Sequence, residues 1–209
     1  MDYRKLRTLL NETLSGKRDE PFKKVITSLH CMSRARLYAT INAIVSSMDP
    51  GEFYYEVGMY QGGSLISALT NNSAQAIGVD NFGEFKETNN LALTQSHLEQ
   101  FGVGDRAKLY NMDFRDYFRA LDPATKIQVY YYDGAHDEET QLAGMEAAWP
   151  FLHSGSLVIV DDYTYPEVSR AVNRFVANHI GEVKFQLVFA AMESLDEHWW
   201  NGCVVLRVV

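Results

Sequence analysis

Apolar residues recur along the chain with two different periods, and the places where one gives way to the other mark the elements. Over residues 2–48 the spacing is helical: Leu6, Leu9, Leu10 and Leu14, then Val25, Ile26 and Leu29, then Leu37, Ile41, Ile44 and Val45 return at three- and four-residue steps. Asp49, Pro50 and Gly51 close that region. From residue 53 onward, short apolar and aromatic runs take over at 53–57, 76–79, 108–112, 127–132 and 156–160, each long enough for a buried strand and each ending at or beside an acid. Residues 64–71, 84–101, 115–120 and 138–152 read as the helices between and after them, with Pro150, Ser154 and Gly155 closing the last. Pro166 opens one more amphipathic helix through Val168, Ala171, Val172, Phe175 and Val176, and two alternating runs, 184–190 and 202–209, end the chain.

Strands joined by helical crossovers predict a parallel sheet wound on both faces, and the last two runs read as two closing strands. The fold expected is therefore α/β: a doubly wound, mainly parallel, seven-stranded sheet behind an amino-terminal helical extension. A chain of 209 residues fits one such domain, here 1–209, with residues 1–50 as a helical cap and 51–209 as the core. The cap has two readings: helices that pad the sheet, or helices that cover the site and shape an acceptor pocket or a homodimer contact.

Charge and cysteine content narrow the partners. A formal charge of −8, with no basic run beyond short pairs such as Lys23 and Lys24, argues against nucleic acid. No apolar stretch approaches the roughly 18 residues of a membrane span, and the amino terminus has no signal-peptide core, so a cytoplasmic protein is expected. Cys31 and Cys203 lack metal-ligand spacing and read as reduced structural thiols.

The chemistry concentrates where the first strand becomes a helix, in Glu56-Val57-Gly58-Met59-Tyr60-Gln61-Gly62-Gly63-Ser64. The glycines allow unusual dihedrals and close backbone approach, and the amides opening the next helix offer donors to a carboxylate or phosphate. The spacing Glu-x-Gly-x-x-x-Gly differs from the dinucleotide fingerprint, which disfavours an NAD-type pyrophosphate cradle. A second acid, Asp80, closes the next strand where a ribose-binding acid is expected. The segment resembles motif I of class I S-adenosylmethionine (SAM) methyltransferases, and Glu-x-Gly-x-Tyr-x-Gly-x-Ser resembles the catechol O-methyltransferase variety.

The resemblance implies a Rossmann-like class I methyltransferase fold, in which the last two strands form a reversed closing hairpin with the last strand antiparallel, and SAM as cofactor. It places Glu56 on the methionine amino group, Ser64 on its carboxylate, Tyr60 against SAM, and Gly58, Gly62 and Gly63 in the turn. It also sets Asp113 and Phe114 beside adenine. Asp113 equally reads as a helix N-cap, and Ser64 likewise.

Strand ends four and five present Asp133 and the pair Asp161 and Asp162, hard oxygen donors of the kind Mg²⁺ or Mn²⁺ takes. Helix-capping or water-binding acids are the alternative. Metal-dependent catechol-type enzymes place an Asp and an Asp-Asn pair here, whereas this chain has Asp-Asp. His136, three residues beyond Asp133, stands where those enzymes carry a catalytic lysine. Its Asp-Gly-x-His context resembles the small methyltransferases related to macrocin O-methyltransferase and the cephalosporin-tailoring proteins. His136 and Asp133 are thus the expected catalytic pair, with Asp133 also bordering the cofactor. Tyr163 and Tyr165, with Trp199 and Trp200, are candidates for the acceptor pocket. The function expected is O-methylation of a small hydroxylated acceptor, a sugar or natural-product intermediate. The alternative is a catalytically silent SAM-binding protein used in regulation or assembly.

Overall fold

The computed structural model describes residues 1–189 and 197–209, so the expected strand end at Ala190 lies outside the described residues. Seven strands form one sheet: β1 (Phe53–Val57), β2 (Gln75–Asp80), β3 (Ala107–Asn111), β4 (Ile127–Tyr132), β5 (Leu152–Asp161), β6 (Val183–Phe189) and β7 (Cys203–Val208). Their order is β3-β2-β1-β4-β5-β7-β6. Strands β1 to β5 are parallel to one another, and β7 runs antiparallel to both its neighbours. This is the doubly wound fold with a reversed last strand that the sequence predicts.

Helices α1 (Tyr3–Leu14), α2 (Glu20–Ser28), α3 (Ala35–Val45), α4 (Gly63–Leu69) and α5 (Asn90–Gln100) share one face of the sheet, and α6 (Phe114–Ala120), α7 (Glu138–Ala148) and α8 (Pro166–Asn178) the other. Because side chains alternate along a strand, a sheet covered on both faces needs apolar residues at nearly every position. Tyr54, Tyr131 and Ile159 accordingly pack into the first layer, while Tyr55, Tyr130 and Val158 pack into the second. The same alternation directs Glu56 and Asp161, each two residues beyond such a first-layer residue, toward the α1–α5 side.

The amino-terminal helices belong to that first layer. Helix α3 is buried at every position from Leu37 to Val45. Its one amide in that stretch, Asn42, donates from Nδ2 to the carbonyls of Ser67 (2.9 Å) and Thr70 (2.8 Å) at the end of α4, adding to the Thr70 amide on Ser67 and the Asn72 side-chain amide on Thr70.

Three elements differ from the expected bounds by more than two residues. The helix expected over 84–101 begins only at Asn90, because Asn89 caps it by accepting from the Ala92 amide at 3.2 Å. Residues before it turn as a loop with Phe82 and Phe85 at left-handed φ of 48° and 52°. The helix expected over 138–152 stops at Ala148, where a single tight turn, Trp149–Phe151, accommodates Pro150 and lets β5 start early at Leu152. No helix among the described residues is long and apolar enough to cross a membrane.

Candidate active site

The glycine turn is shaped first by crowding at the strand ends. Gly58, at φ 88°, has its amide on the Val79 carbonyl (3.0 Å), and a Cβ there would meet the Asp133 carbonyl oxygen at 1.9 Å. Only glycine lets β1, β2 and β4 finish this close together. Gly62 (φ 85°) turns the chain into α4, and a Cβ on Gly63 would meet Tyr38 Oη at 2.5 Å and Cys31 Sγ at 2.7 Å. Asp80, at the end of β2, accepts from the Met59 and Tyr60 amides at 2.8 and 3.1 Å and from the Phe82 amide at 2.7 Å, and so ties the turn to the 81–89 loop.

Glu56 points into the layer beneath the turn. Tyr54 Oη donates to one carboxylate oxygen at 2.7 Å and Ser64 Oγ to the other at 2.6 Å. Burial raises its pKa to about 8 despite those two hydrogen bonds, which pull it down. Glu56, Gly62, Gly63 and Ser64 therefore stand one step behind the cavity rather than on its wall.

The cavity, about 620 Å³, opens across the carboxyl ends of β1 to β5, where open α/β sheets receive ligands. On the β1–β3 side its wall includes Gly58, Tyr60, Asp80, Asp113 and Phe114; on the β4–β5 side it includes Asp133, His136, Asp162, Tyr165 and Trp200. Asp113 also caps α6, its Oδ1 accepting from the Arg115 amide at 2.7 Å, so both readings of that residue are compatible. Tyr163 and Trp199 are not in the wall: Tyr163 packs on the second-layer core, and Trp199 stacks on Phe189 at 4.3 Å.

Asp133, His136 and Asp162 each present a ligand atom within 4.8 Å of the others. His136 Nε2 lies 2.9 Å from Asp162 Oδ2 and 3.8 Å from Asp133 Oδ1. The carboxylates push the imidazole pKa up to about 10, Asp133 most and Asp162 next, against the opposing effect of burial. Burial is the first cause that raises the Asp133 pKa.

Asp161, expected beside Asp162, is not brought into this cluster. It is the last residue of β5, so the strand pleat holds it in the first layer, where Tyr131 Oη donates to its Oδ2 at 2.5 Å. Burial, then the Asp133 charge, raises its pKa well above the ordinary carboxylate range. Asp162 escapes the pleat because its backbone is left-handed, at φ 53°, which swings its side chain over the strand ends. His136 thus occupies the third position that Asp161 was expected to fill.

Sequence reading passed over several residues that the fold delivers. Asn201 donates to Asp162 Oδ1 at 2.6 Å, Tyr131 Oη also lies 3.3 Å from Asp133 Oδ2, and His30 Nδ1 lies 2.9 Å from Tyr60 Oη. His97 Nδ1 lies 2.9 Å from the Gln61 carbonyl, which can only accept, so that nitrogen carries the proton. Except for Tyr131 and Asp133, two residues apart, each contact joins elements far apart in the chain, and no local spacing signals it.

Comparison with known proteins bears on the same region. No curated protein matches the chain by sequence. Similar solved structures include SAH-bound Podospora anserina methyltransferase PaMTH1 (14% identity, TM-score 0.65, covering 91% of this chain and 86% of that one). The O-methyltransferase from Bacillus cereus in complex with SAH is similar at 13% identity and TM-score 0.62, over 99% of this chain and 91% of that one. CalS11, a TDP-rhamnose 3'-O-methyltransferase of calicheamicin biosynthesis, is similar at 20% identity and TM-score 0.58, over 81% and 76%. At such identities the likeness is one of fold. Residues 55–163, just over half of the chain and spanning the glycine turn through the Asp161–Asp162 pair, match the family model described as "Methyltransferase domain", and the chain belongs to that family.

Proposed function

We propose that this chain is a single catalytic domain, capped by residues 1–50, that transfers the methyl group of SAM to a hydroxyl of a small molecule with the help of a divalent cation. What supports this most is one cavity that joins the glycine turn to an acid–imidazole cluster. Asp80 and the pair Asp113 and Phe114 line its nucleoside side; Glu56 and Ser64 mark the methionine end behind it. CalS11, which acts on TDP-rhamnose, supports a glycosyl or comparable polyhydroxylated acceptor.

The donor set suits a divalent cation: two carboxylates supply the hard oxygens that Mg²⁺ or Mn²⁺ takes. Bound at Asp133 and Asp162, such an ion would lower the pKa of an acceptor hydroxyl. His136 Nε2 cannot both ligate the ion and take a proton. We assign the ion to the carboxylates and the proton to His136, which its two acidic neighbours hold protonated until a cation competes for them. SAM, when bound, would supply the methyl group and leave as SAH, and His136 Nε2 would take the proton of the acceptor hydroxyl as that oxygen is methylated.

Calorimetry with SAM and with SAH tests the cofactor, and failure to bind either would end the reading. With an acceptor in hand, EDTA should abolish turnover without lowering SAM affinity, and Mg²⁺ or Mn²⁺ should restore it. Asp162→Ala should remove the metal response. His136→Ala should slow turnover by roughly 10²–10⁴-fold with the metal still bound; lost metal binding would make His136 a ligand instead.

A further inference from the structure

Asp162 combines two properties that require outside support. Its backbone is left-handed, a conformation that strains a non-glycine residue, and its side chain is buried to 8% exposure. One oxygen, Oδ2, faces His136 Nε2 at 2.9 Å. The other, Oδ1, is met at 2.6 Å by Nδ2 of Asn201, which arrives from the far side, on the turn leading into β7. Asn201 is itself 3% exposed, and the same Nδ2 lies 3.2 Å from Tyr165 Oη. An amide nitrogen has two hydrogens, and these two acceptors take one each. The reversed amide would set a carbonyl oxygen against a carboxylate, so the orientation follows from its neighbours.

We infer that Asn201 is a positioning residue: its carboxamide grips Asp162 Oδ1 and the Tyr165 hydroxyl together, and thereby presents Asp162 Oδ2 to Asp133 and His136. The same grip ties the reversed strand to the β5 end of the cavity. It also sets the Tyr165 ring, whose centroid lies 5.8 Å from that of His136. Only the use of the presented oxygen by a divalent cation rests on the function proposed above.

The test compares the full chain with Asn201→Ala and with Asn201→Ser, which keeps one donor. Mn²⁺ affinity is read by electron paramagnetic resonance, SAH affinity by calorimetry, and the His136 ring-nitrogen signals by NMR of metal-free protein at one pH. Asn201→Ala should weaken Mn²⁺ binding about 10–100-fold, the range seen when a group orienting a metal ligand is lost. It should also move the His136 signals while SAH still binds, and Asn201→Ser should fall between it and the wild type. If alanine prevents folding, seen as lost SAH binding, the serine variant carries the comparison. A wild type that takes no Mn²⁺ would end the cation reading alone, because displaced His136 signals in either variant would still support the positioning role. Unchanged His136 signals with unchanged Mn²⁺ affinity would overturn it, as would SAH and Mn²⁺ affinities that fall in parallel.

Discussion

At the scale of single residues, burial decides what the acids of this chain can do. Glu56 is enclosed with hydroxyls on both oxygens, and its pKa of about 8 means that the folded protein holds its proton far more tightly than the unfolded chain does. Between the ordinary carboxyl value, 4.5, and about 8, rising pH ionises the unfolded state first, so this group's contribution to stability declines across that window and stops declining above it. Glu56→Gln keeps a similar shape without the ionisation. The melting temperature of the wild type, relative to this variant, should therefore fall from pH 5 to pH 8. A constant difference over that range would show that Glu56 does not titrate as described. Asp162 differs from Asp161 by a single backbone rotation, and that rotation determines which of two adjacent acids faces the cavity.

At the scale of elements, the site depends on how closely strand ends and helices approach. A Cβ at Gly58 would be strained at φ 88° and would overlap the Asp133 carbonyl oxygen, so Gly58→Ala should cost on the order of 3 kcal/mol in denaturant unfolding. It should also displace the β4 end and weaken SAH binding; a stable variant with wild-type affinity would show that the turn is more pliant than its packing implies. The contact between α3 and α4 makes a different prediction. Asn42→Ala removes one donor from carbonyls that the Thr70 amide and the Asn72 side chain still reach, which costs about 0.5–1.5 kcal/mol by the same measurement. Because that end of α4 is remote from the glycine turn that opens it, SAH affinity should stay near the wild type; a large loss would mean that α3 sets the turn as well.

At the scale of the whole molecule, the two halves of the cavity should load independently. The glycine turn and the proposed nucleoside side come from β1 to β3, and the acid–imidazole cluster comes from β4 and β5. Mn²⁺ and SAH should each raise the melting temperature, and together they should raise it further, because each binds the folded state alone. Asp162→Ala should remove the Mn²⁺ increment and keep the SAH increment; mutual exclusion of the two would place them in one subsite. The alternation of apolar runs and acids was enough to predict the seven strands and their winding, because a sheet buried on both faces needs near-continuous apolar strands and its ends collect polar residues, whereas the reversed last strand followed from the family resemblance. Motif spacing likewise pointed to Gly58, Asp80, Asp133 and His136, because all sit on a strand end or on the turn just after it. Pleat and packing alone decided that Asp161 turns inward to Tyr131 while Asp162 turns outward to His136, and that Asn201 meets it from the turn before β7. Neighbouring acids look alike in a sequence; a left-handed φ and a partner 39 residues away become visible only when the chain is folded.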